Sequence, residues 1–460
     1  MSLAYRTQIS RQIQAILMTQ KQGIDCLIHA AYIIPVVPEN QIFEDHCLAI
    51  DQGKILAILP KADCLERYQP EEVHYLNDHV LMPGLINAHG HAAMSLFRGL
   101  ADDLPLMEWL NDHIWPAEGK WVSAEFVYDG TRLAIAEMLR SGTSCFSDMY
   151  FFPEMAAKAA KEMGIRAQLC GPILDFPTVW GSGPDDYISK ILALHDKYQD
   201  DDLVRIALGP HAPYTVSNSP LIRIKDLAVE RKMPVQIHLH ETRFEVDEAE
   251  RDQGIRPIQR LTNIGLIGDE VALQCVHMTE LNDEDISNLA NSKAHVIHCP
   301  ESNLKLASGF CETDKLLKAG INVALGTDGA ASNNDLDMFS EMRTAALIAK
   351  PVANNAAAVD AMTAIQIATI NGAKALGIDE MTGSLEVGKS ADLIAIELSK
   401  LNSQPSYHLL SDIVYAINSQ QVTDHWIKGK QVLKNRQLSP GLEADILAKT
   451  KQWAEKIKHT

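Results

Sequence analysis

Leu81-Met-Pro-Gly-Leu-Ile-Asn-Ala-His-Gly-His91 is the stretch from which the fold is read. An apolar run suited to a buried strand ends in two histidines one residue apart, and alternation along a strand turns both imidazoles to the same side. The pattern recurs. Between about residues 81 and 330, short runs rich in Val, Ile and Leu end at His91, Asp148, Ile173, His211, Thr242, His277, Asn303 and Asp328, each followed by a stretch that can be helical. Alternating strands and helices predict a parallel sheet, and eight such units predict an α/β fold closed as a (β/α)8 barrel of the TIM type.

In such a barrel, chemistry sits at the C-terminal strand ends, where loops can vary without disturbing the core. His89, His91, His211, His238, Glu241, His277, His298 and Asp328 all fall there. Residues 81–382 are assigned to the barrel. Outside it, residues 23–80 and 383–438 carry short alternating runs and turns, which read as hairpins of one small flanking β-domain built from both chain ends. Residues 1–22 form an N-terminal extension set apart from the fold, and 439–460 a C-terminal helix.

The 460 residues hold 41 Lys and Arg against 60 Asp and Glu, a formal charge of -19. That charge repels phosphate backbones and anionic lipid, so nucleic acid and membrane are not expected partners. No apolar run is long enough to span a bilayer, and a cytoplasmic location is expected. The eight cysteines lie far apart with no CxxC pair. They read as buried, reduced thiols, and a zinc deaminase of the type that uses two cysteine ligands is excluded.

Three strand ends offer ligands suited to a metal ion: His89-Gly-His91, His238-Leu-His-Glu241 and Gly326-Thr-Asp-Gly329. Together they predict three imidazoles and one carboxylate, with a position left for water. Spacing leaves His238 and His240 as alternatives, since both share a face. Zinc suits the set, and Fe2+ or Mn2+ would also accept it. Cys299 alternates away from His298, and both Cys275 and Cys299 read as core rather than as thiolate ligands.

These strand-end groups resemble the amidohydrolase superfamily, and within it the 5-methylthioadenosine/S-adenosylhomocysteine deaminases. The resemblance spans nearly the whole chain. It is carried by Met82–His91, Leu96-Phe-Arg-Gly-Leu-Ala-Asp-Asp103, Ile114-Trp-Pro-Ala-Glu118, Gly209-Pro-His-Ala-Pro213, His238–Glu241, His298-Cys-Pro-Glu-Ser-Asn303, Gly326–Gly329 and Gly383–Leu393. It implies His89, His91, His238 and Asp328 as metal ligands, with Glu241, His277 and Asp328 as catalytic proton-handling groups. It further implies that Glu118 holds the ribose hydroxyls and His211 the purine, with Glu241 and Asp328 at the reacting end. His298 and the Ser302-Asn303 turn are given no role beyond the pocket wall. Some related barrels carry a carboxylated lysine in the fourth strand; Val204–His211 has none, so one divalent ion, zinc first, is expected.

The implied activity is hydrolytic deamination of a 5'-modified adenosine to the inosine analogue and ammonia. Candidate substrates are 5'-methylthioadenosine, S-adenosylhomocysteine, 5'-deoxyadenosine and adenosine. Some members place arginines after the third strand to clamp the carboxylate of S-adenosylhomocysteine. This chain has no Arg from Ala167 to Val204 and offers Phe176, Val179 and Trp180 instead, which favours an uncharged 5' group. The alternatives are an aminohydrolase or chlorohydrolase acting on guanine, cytosine or an s-triazine, and an inactive scaffold. The expected partners are a small nucleoside and further copies of the chain, as a dimer or tetramer.

A divalent ion lowers the pKa of bound water to about 7, which makes a nucleophile available at neutral pH. Asp328 is then expected to take the water proton, and Glu241 to deliver one to N1 of the purine. Residues three apart on a strand face opposite ways, so Glu241 must lie past the strand end; the competing reading is a surface carboxylate paired with Arg243. The longest insertion, about 92–141, can cover an adenine ring, and Trp115 beside Pro116 is its candidate for substrate contact.

Overall fold

The computed structural model describes residues 21–458, so most of the expected N-terminal extension lies outside the described residues. The chain enters through β1 (Gln22–Ile33), which pairs antiparallel with β2 (Phe43–Asp51); β3 (Lys54–Pro60) continues the meander, and β4 (Tyr68–Pro83) returns parallel to β1. The β2–β3 turn needs positive φ at both central residues, which Gln52 (51°) and Gly53 (75°) supply.

Two residues after β4 the barrel begins. Its strands are β5 (Leu85–Gly90), β6 (Thr143–Asp148), β7 (Arg166–Ile173), β8 (Val204–Pro210), β9 (Val235–Leu239), β10 (Leu273–His277), β11 (His295–His298) and β12 (Val323–Leu325), parallel and in chain order. A bridge between Gly90 and Asp328, with Asp328 N–H donating to His89 O at 3.1 Å, joins the last strand to the first. This is the barrel expected from the sequence.

Several strands stop earlier than their polar ends suggested. β11 ends at His298 and not Asn303, because Pro300 opens the helix Pro300–Lys305. β9 ends at Leu239 because His240 turns to φ 51°, and Asp328 at φ 59° lies three residues beyond β12.

After the barrel, β13 (Leu393–Glu397), β14 (Val422–Ile427) and β15 (Lys430–Leu433) complete the first sheet in the order β15-β14-β13-β4-β1-β2-β3. Both chain ends therefore build one sheet. Their hairpin turns touch: a Cβ on Gly53 would sit 2.6 Å from Lys428 O, so only glycine fits. Sheet and barrel are also joined by buried Arg166, which starts β7 and donates to Asp392 Oδ2 at 2.5 Å and to Ser390 Oγ at 2.7 Å. The helix Leu442–Lys458 lies over the long insertion, with Trp453 edge-on to Phe126 and its indole N–H on Asp129 Oδ2 at 3.0 Å. All eight cysteines are buried and unpaired. Among the described residues no helix is long and apolar enough to cross a membrane.

Among the buried polar side chains of the barrel, which include Asn87, Ser147 and Thr327, Gln168, Gln236 and Gln274 form a bonded group. Gln236 Nε2 donates to Gln274 Oε1 at 2.7 Å and to Ala88 O at 3.0 Å; Gln168 Nε2 donates to the same Gln274 oxygen at 2.8 Å. This amide layer is the floor on which the site stands.

Candidate metal centre and active site

His89 and His91 leave the top of β5, His238 lies on β9, His277 ends β10 and Asp328 follows β12. Asp328 Oδ1 lies 3.1 Å from His91 Nε2 and 3.4 Å from His89 Nε2, and His91 Nε2 lies 3.4 Å from His238 Nε2. One ligand atom each from His89, His238, His277 and Asp328 falls within 4.8 Å of all the others. The barrel thus gathers five candidate groups at one point, four imidazoles and a carboxylate.

The far side of each ring explains what that point is for. The Nδ1 of His89 faces Gln236 Oε1 (2.8 Å), that of His91 faces Met149 O (2.7 Å), that of His238 faces His211 O (2.8 Å) and that of His277 faces Asn303 Oδ1 (2.8 Å). A carbonyl oxygen only accepts, so these contacts put the proton on Nδ1 and leave the Nε2 lone pair pointing inward. Buried His89 Nε2 has no hydrogen-bond partner at all. As neutral rings, four lone pairs and a carboxylate facing one another repel, and a divalent cation, or in its place a proton on one ring, removes that repulsion. The residues fit a metal ion.

Electrostatics says the same. Burial pushes His89 down to about 4. Burial works against charge on His91 too, but the contact with Asp328 outweighs it and lifts this imidazole to about 9. Without a metal, a proton on His91 is the cation that Asp328 demands. Asp328 itself is held well below the ordinary carboxylate range: its burial is overridden by His89 and His91. Its other oxygen is occupied, accepting from Ser302 Oγ at 2.7 Å and Ser332 Oγ at 2.6 Å.

Glu241 lies two residues past β9 and is buried, while Arg243 pairs with Asp247 at 2.9 Å; the surface pairing of Glu241 with Arg243 does not occur. Burial, then repulsion from Asp328, raises the Glu241 carboxyl to about 8, so it carries a proton near neutral pH. The Glu245 carboxylate fixes the turn by accepting from the N–H groups of His240 (3.0 Å) and Glu241 (2.9 Å). His240 is turned out of the cluster, its Nδ1 on Glu280 O at 2.8 Å and its Nε2 accepting from Ile258 N at 3.2 Å. Periodicity left His238 and His240 equal; the turn after Leu239 separates them. His277 faces Glu241 Oε1 at 3.8 Å. His240, His277 and Asp328 all hold positive φ without being glycine, a cost of about 1–3 kcal/mol each that persists where the surroundings enforce it.

A cavity of about 320 Å³ opens above the cluster, within the range of small-molecule sites. The long insertion supplies Leu106, Trp109, Ile114, Trp115 and Glu118 to its wall. Tyr150 donates to Glu118 Oε1 at 2.7 Å, and burial raises Glu118 to about 7, with Tyr150 and His91 pulling the other way. His211, bonded through Nδ1 to Thr215 Oγ1 at 3.0 Å, is driven down to about 4 by burial and its histidine neighbours, and faces the cavity neutral. The opposite end is lined by Leu174, Phe176, Pro177, Thr178 and Val179, with no Lys or Arg among the described lining residues. Trp180 turns away and stacks on Tyr187 at 5.8 Å, so it does not line the pocket as its position beside Val179 suggested.

Sequence reasoning did not single out Tyr150, Gln236, Glu245 or Ser332. Gln236 had a signal, an amide in the middle of the apolar run Val235-Gln-Ile; Tyr150, in Met149-Tyr-Phe-Phe152, reads as core. Ser302 and Asn303, taken only as pocket wall, hold Asp328 and His277.

Comparison with known proteins gives consistent matches. A profile of the amidohydrolase family matches residues 80–432. The chain is 55% identical over 441 residues to the 5-methylthioadenosine/S-adenosylhomocysteine deaminase of Saccharophagus degradans, covering 96% of this chain and 98% of that one. It is 51% identical over 440 residues to the protein of the same description from Teredinibacter turnerae, covering 96% and 99%. Among solved structures it is similar to an adenosine deaminase from Xanthomonas campestris with bound zinc, with a TM-score of 0.94, 48% identity, and coverage of 96% of this chain and 100% of that one.

Proposed function

The chain belongs to the amidohydrolase family, and from that premise we propose that it is a metal-dependent hydrolase that replaces the exocyclic amine of a 5'-modified adenosine with oxygen and releases ammonia. The observation that carries the reading is one cavity whose floor is a cation-fitting cluster and whose wall presents the Glu118 carboxylate. The alternatives, deamination of a free base or removal of chloride from a triazine, need no sugar-facing carboxylate.

In this reading His89, His91, His238 and Asp328 hold one zinc ion, and the zinc-bound relative supports that choice of metal. When bound, the ion supplies the Lewis acidity that makes water a nucleophile near neutral pH. The remaining work falls to side chains. Asp328, beside His277, accepts the proton of the attacking water. Attack at C6 moves electron density onto N1, and Glu241, protonated at neutral pH, donates there; such proton transfer contributes about 10²–10⁴ in rate. Left as a carboxylate, Glu241 then takes the proton of the C6 hydroxyl as the carbonyl forms and passes it to the departing ammonia, and the proton held by Asp328 restores the Glu241 acid. His277, with its proton fixed on Nδ1 by Asn303, offers Nε2 as an acceptor near the reacting oxygen.

Glu118 accepts from the ribose hydroxyls, and neutral His211 and Trp115 meet the purine. The apolar end receives the 5' substituent. With no Lys or Arg among its described lining residues, that end suits a methylthio or methyl group better than the charged chain of S-adenosylhomocysteine, so 5'-methylthioadenosine is the preferred substrate. Buried unpaired cysteines support a cytoplasmic place of action.

The test is ammonia release with 5'-methylthioadenosine, S-adenosylhomocysteine, adenosine, guanine and melamine. Turnover is expected with the adenosines, fastest with methylthioadenosine. Silence with every adenosine overturns the reading.

A further inference from the structure

β6 supplies none of the groups of the metal cluster, yet the three residues at its end each hold part of the site. Asp148 Oδ1 accepts from Ala92 N at 2.7 Å, next to His91. Met149 O accepts from His91 Nδ1 at 2.7 Å. Tyr150 donates to Glu118 Oε1 at 2.7 Å. From this run of contacts we propose that Tyr150 is a positioning residue: it fixes Glu118 relative to the metal ligands and so sets where the ribose, and with it the reacting amine, comes to rest.

The inference rests on the reading of Glu118 as the ribose acceptor. Glu118 is carried by the short helix Trp115–Trp121 in the long insertion, away from the barrel strands. The Tyr150 hydroxyl is the one hydrogen bond described for its carboxylate. Tyr150, by contrast, is carried by the backbone of the barrel, two residues past β6; its ring is 4% exposed, lies 6.3 Å from the His91 ring and 5.3 Å from Phe151, and packs in the apolar cluster with Trp109 and Ile114 of the insertion. A group whose backbone is set by the barrel therefore holds a group carried by the insertion. It engages one carboxylate oxygen and leaves the other for a diol. Misplacing a bound substrate by about 1 Å can cost about 10²-fold in rate, so a fixed span between cation and ribose site has kinetic value.

The experiment uses the metal-loaded enzyme and two substrates, 5'-methylthioadenosine and 2',3'-dideoxyadenosine, the second with no hydroxyls for Glu118. Tyr150→Phe is expected to lower kcat/KM for methylthioadenosine by about tenfold, mainly through KM, and to change the dideoxy compound, by turnover or inhibition constant, by less than about twofold. Metal content and melting temperature are expected to match the parent. An equal loss on both substrates, or no loss on methylthioadenosine, overturns the proposal. Glu118→Ala separates it from its premise. If that variant loses no more activity on the ribose substrate than on the dideoxy compound, the ribose reading fails; if it does lose more while Tyr150→Phe does not, the positioning role alone fails. Tyr150→His keeps a ring donor and replaces the phenylalanine variant if the latter does not fold; the same preferential loss, smaller in size, is expected.

Discussion

At the closed end of the cavity each of four imidazoles has its second nitrogen committed to an oxygen 2.7 to 2.8 Å away, and Asp328 has two hydroxyls on its outer oxygen. At the open end Phe176 and Val179 stand 45% and 41% exposed, against neighbours that fix no direction. The difference separates two tasks. Positioning a cation and moving protons require directional contacts, whereas accepting a small apolar 5' group requires only that nothing better solvated be left unpaired. Changes at the closed end should therefore be severe and changes at the open end mild, which is a gradient that can be broken.

The steepest loss is expected from Asp328→Ala, which removes the carboxylate shared by His89 and His91 and should abolish ammonia release together with metal retention, read by elemental analysis after gel filtration. Glu241→Gln should keep the metal and lose about 10²–10⁴ in kcat. If Glu241→Gln instead lost its metal, the division between cation-holding and proton-moving groups would be wrong. Next comes the amide floor. Gln236→Leu removes the acceptor that orients His89 and takes a donor from buried Gln274. Metal affinity should fall about 10- to 100-fold in a chelator competition. An unchanged affinity would mean that His89 is oriented by packing alone.

What could be read beforehand follows the same gradient. The proposed ligands are polar interruptions at the ends of apolar runs, so His89, His91, Asp328 and the pair His238 and His240 stood out from the strand pattern, and the family resemblance chose His238 from that pair. The groups that orient them did not, because two of them, Met149 O and His211 O, are backbone carbonyls that every residue has. Asn303 and Ser302 were taken as strand and wall, since the run His295–Cys299 hid the helix that Pro300 begins. His240 shows the limit of periodicity: two residues from His238 it shares a face on paper, and a φ of 51° carries it to Glu280 instead. The open end was legible only as composition, an absence of arginine, and Trp180 was misplaced because apolar composition does not say which side chain turns inward.

Between the two ends sits Glu118, raised to about 7 by burial, with Tyr150 and His91 opposing. Its sign is simple: an acid with a raised pKa is neutral below that value and charged above it. A diol donates better to the charged form, so KM for methylthioadenosine should fall as the pH rises through about 7, by up to about tenfold per pH unit on the acid side. Glu118→Gln should flatten that limb while leaving the kcat profile in place. A limb that survives the substitution would belong to the cluster instead.

The mildest change, and the most informative for specificity, is Val179→Arg. It offers the open end the cation that its lining lacks and that the carboxylate of S-adenosylhomocysteine would meet. The exposure of Val179 limits the gain, because an ion pair in contact with solvent contributes about 0–1 kcal/mol, or at most about fivefold in kcat/KM. Methylthioadenosine turnover should stay within about twofold, since no directional contact at that end is disturbed. The ratio of kcat/KM for the two substrates is thus the measurement. A rise for S-adenosylhomocysteine far beyond fivefold would mean that the added guanidinium is shielded from water in the complex, and hence that the insertion around Trp115 closes over a bound nucleoside more tightly than its 37% exposure in the free protein implies.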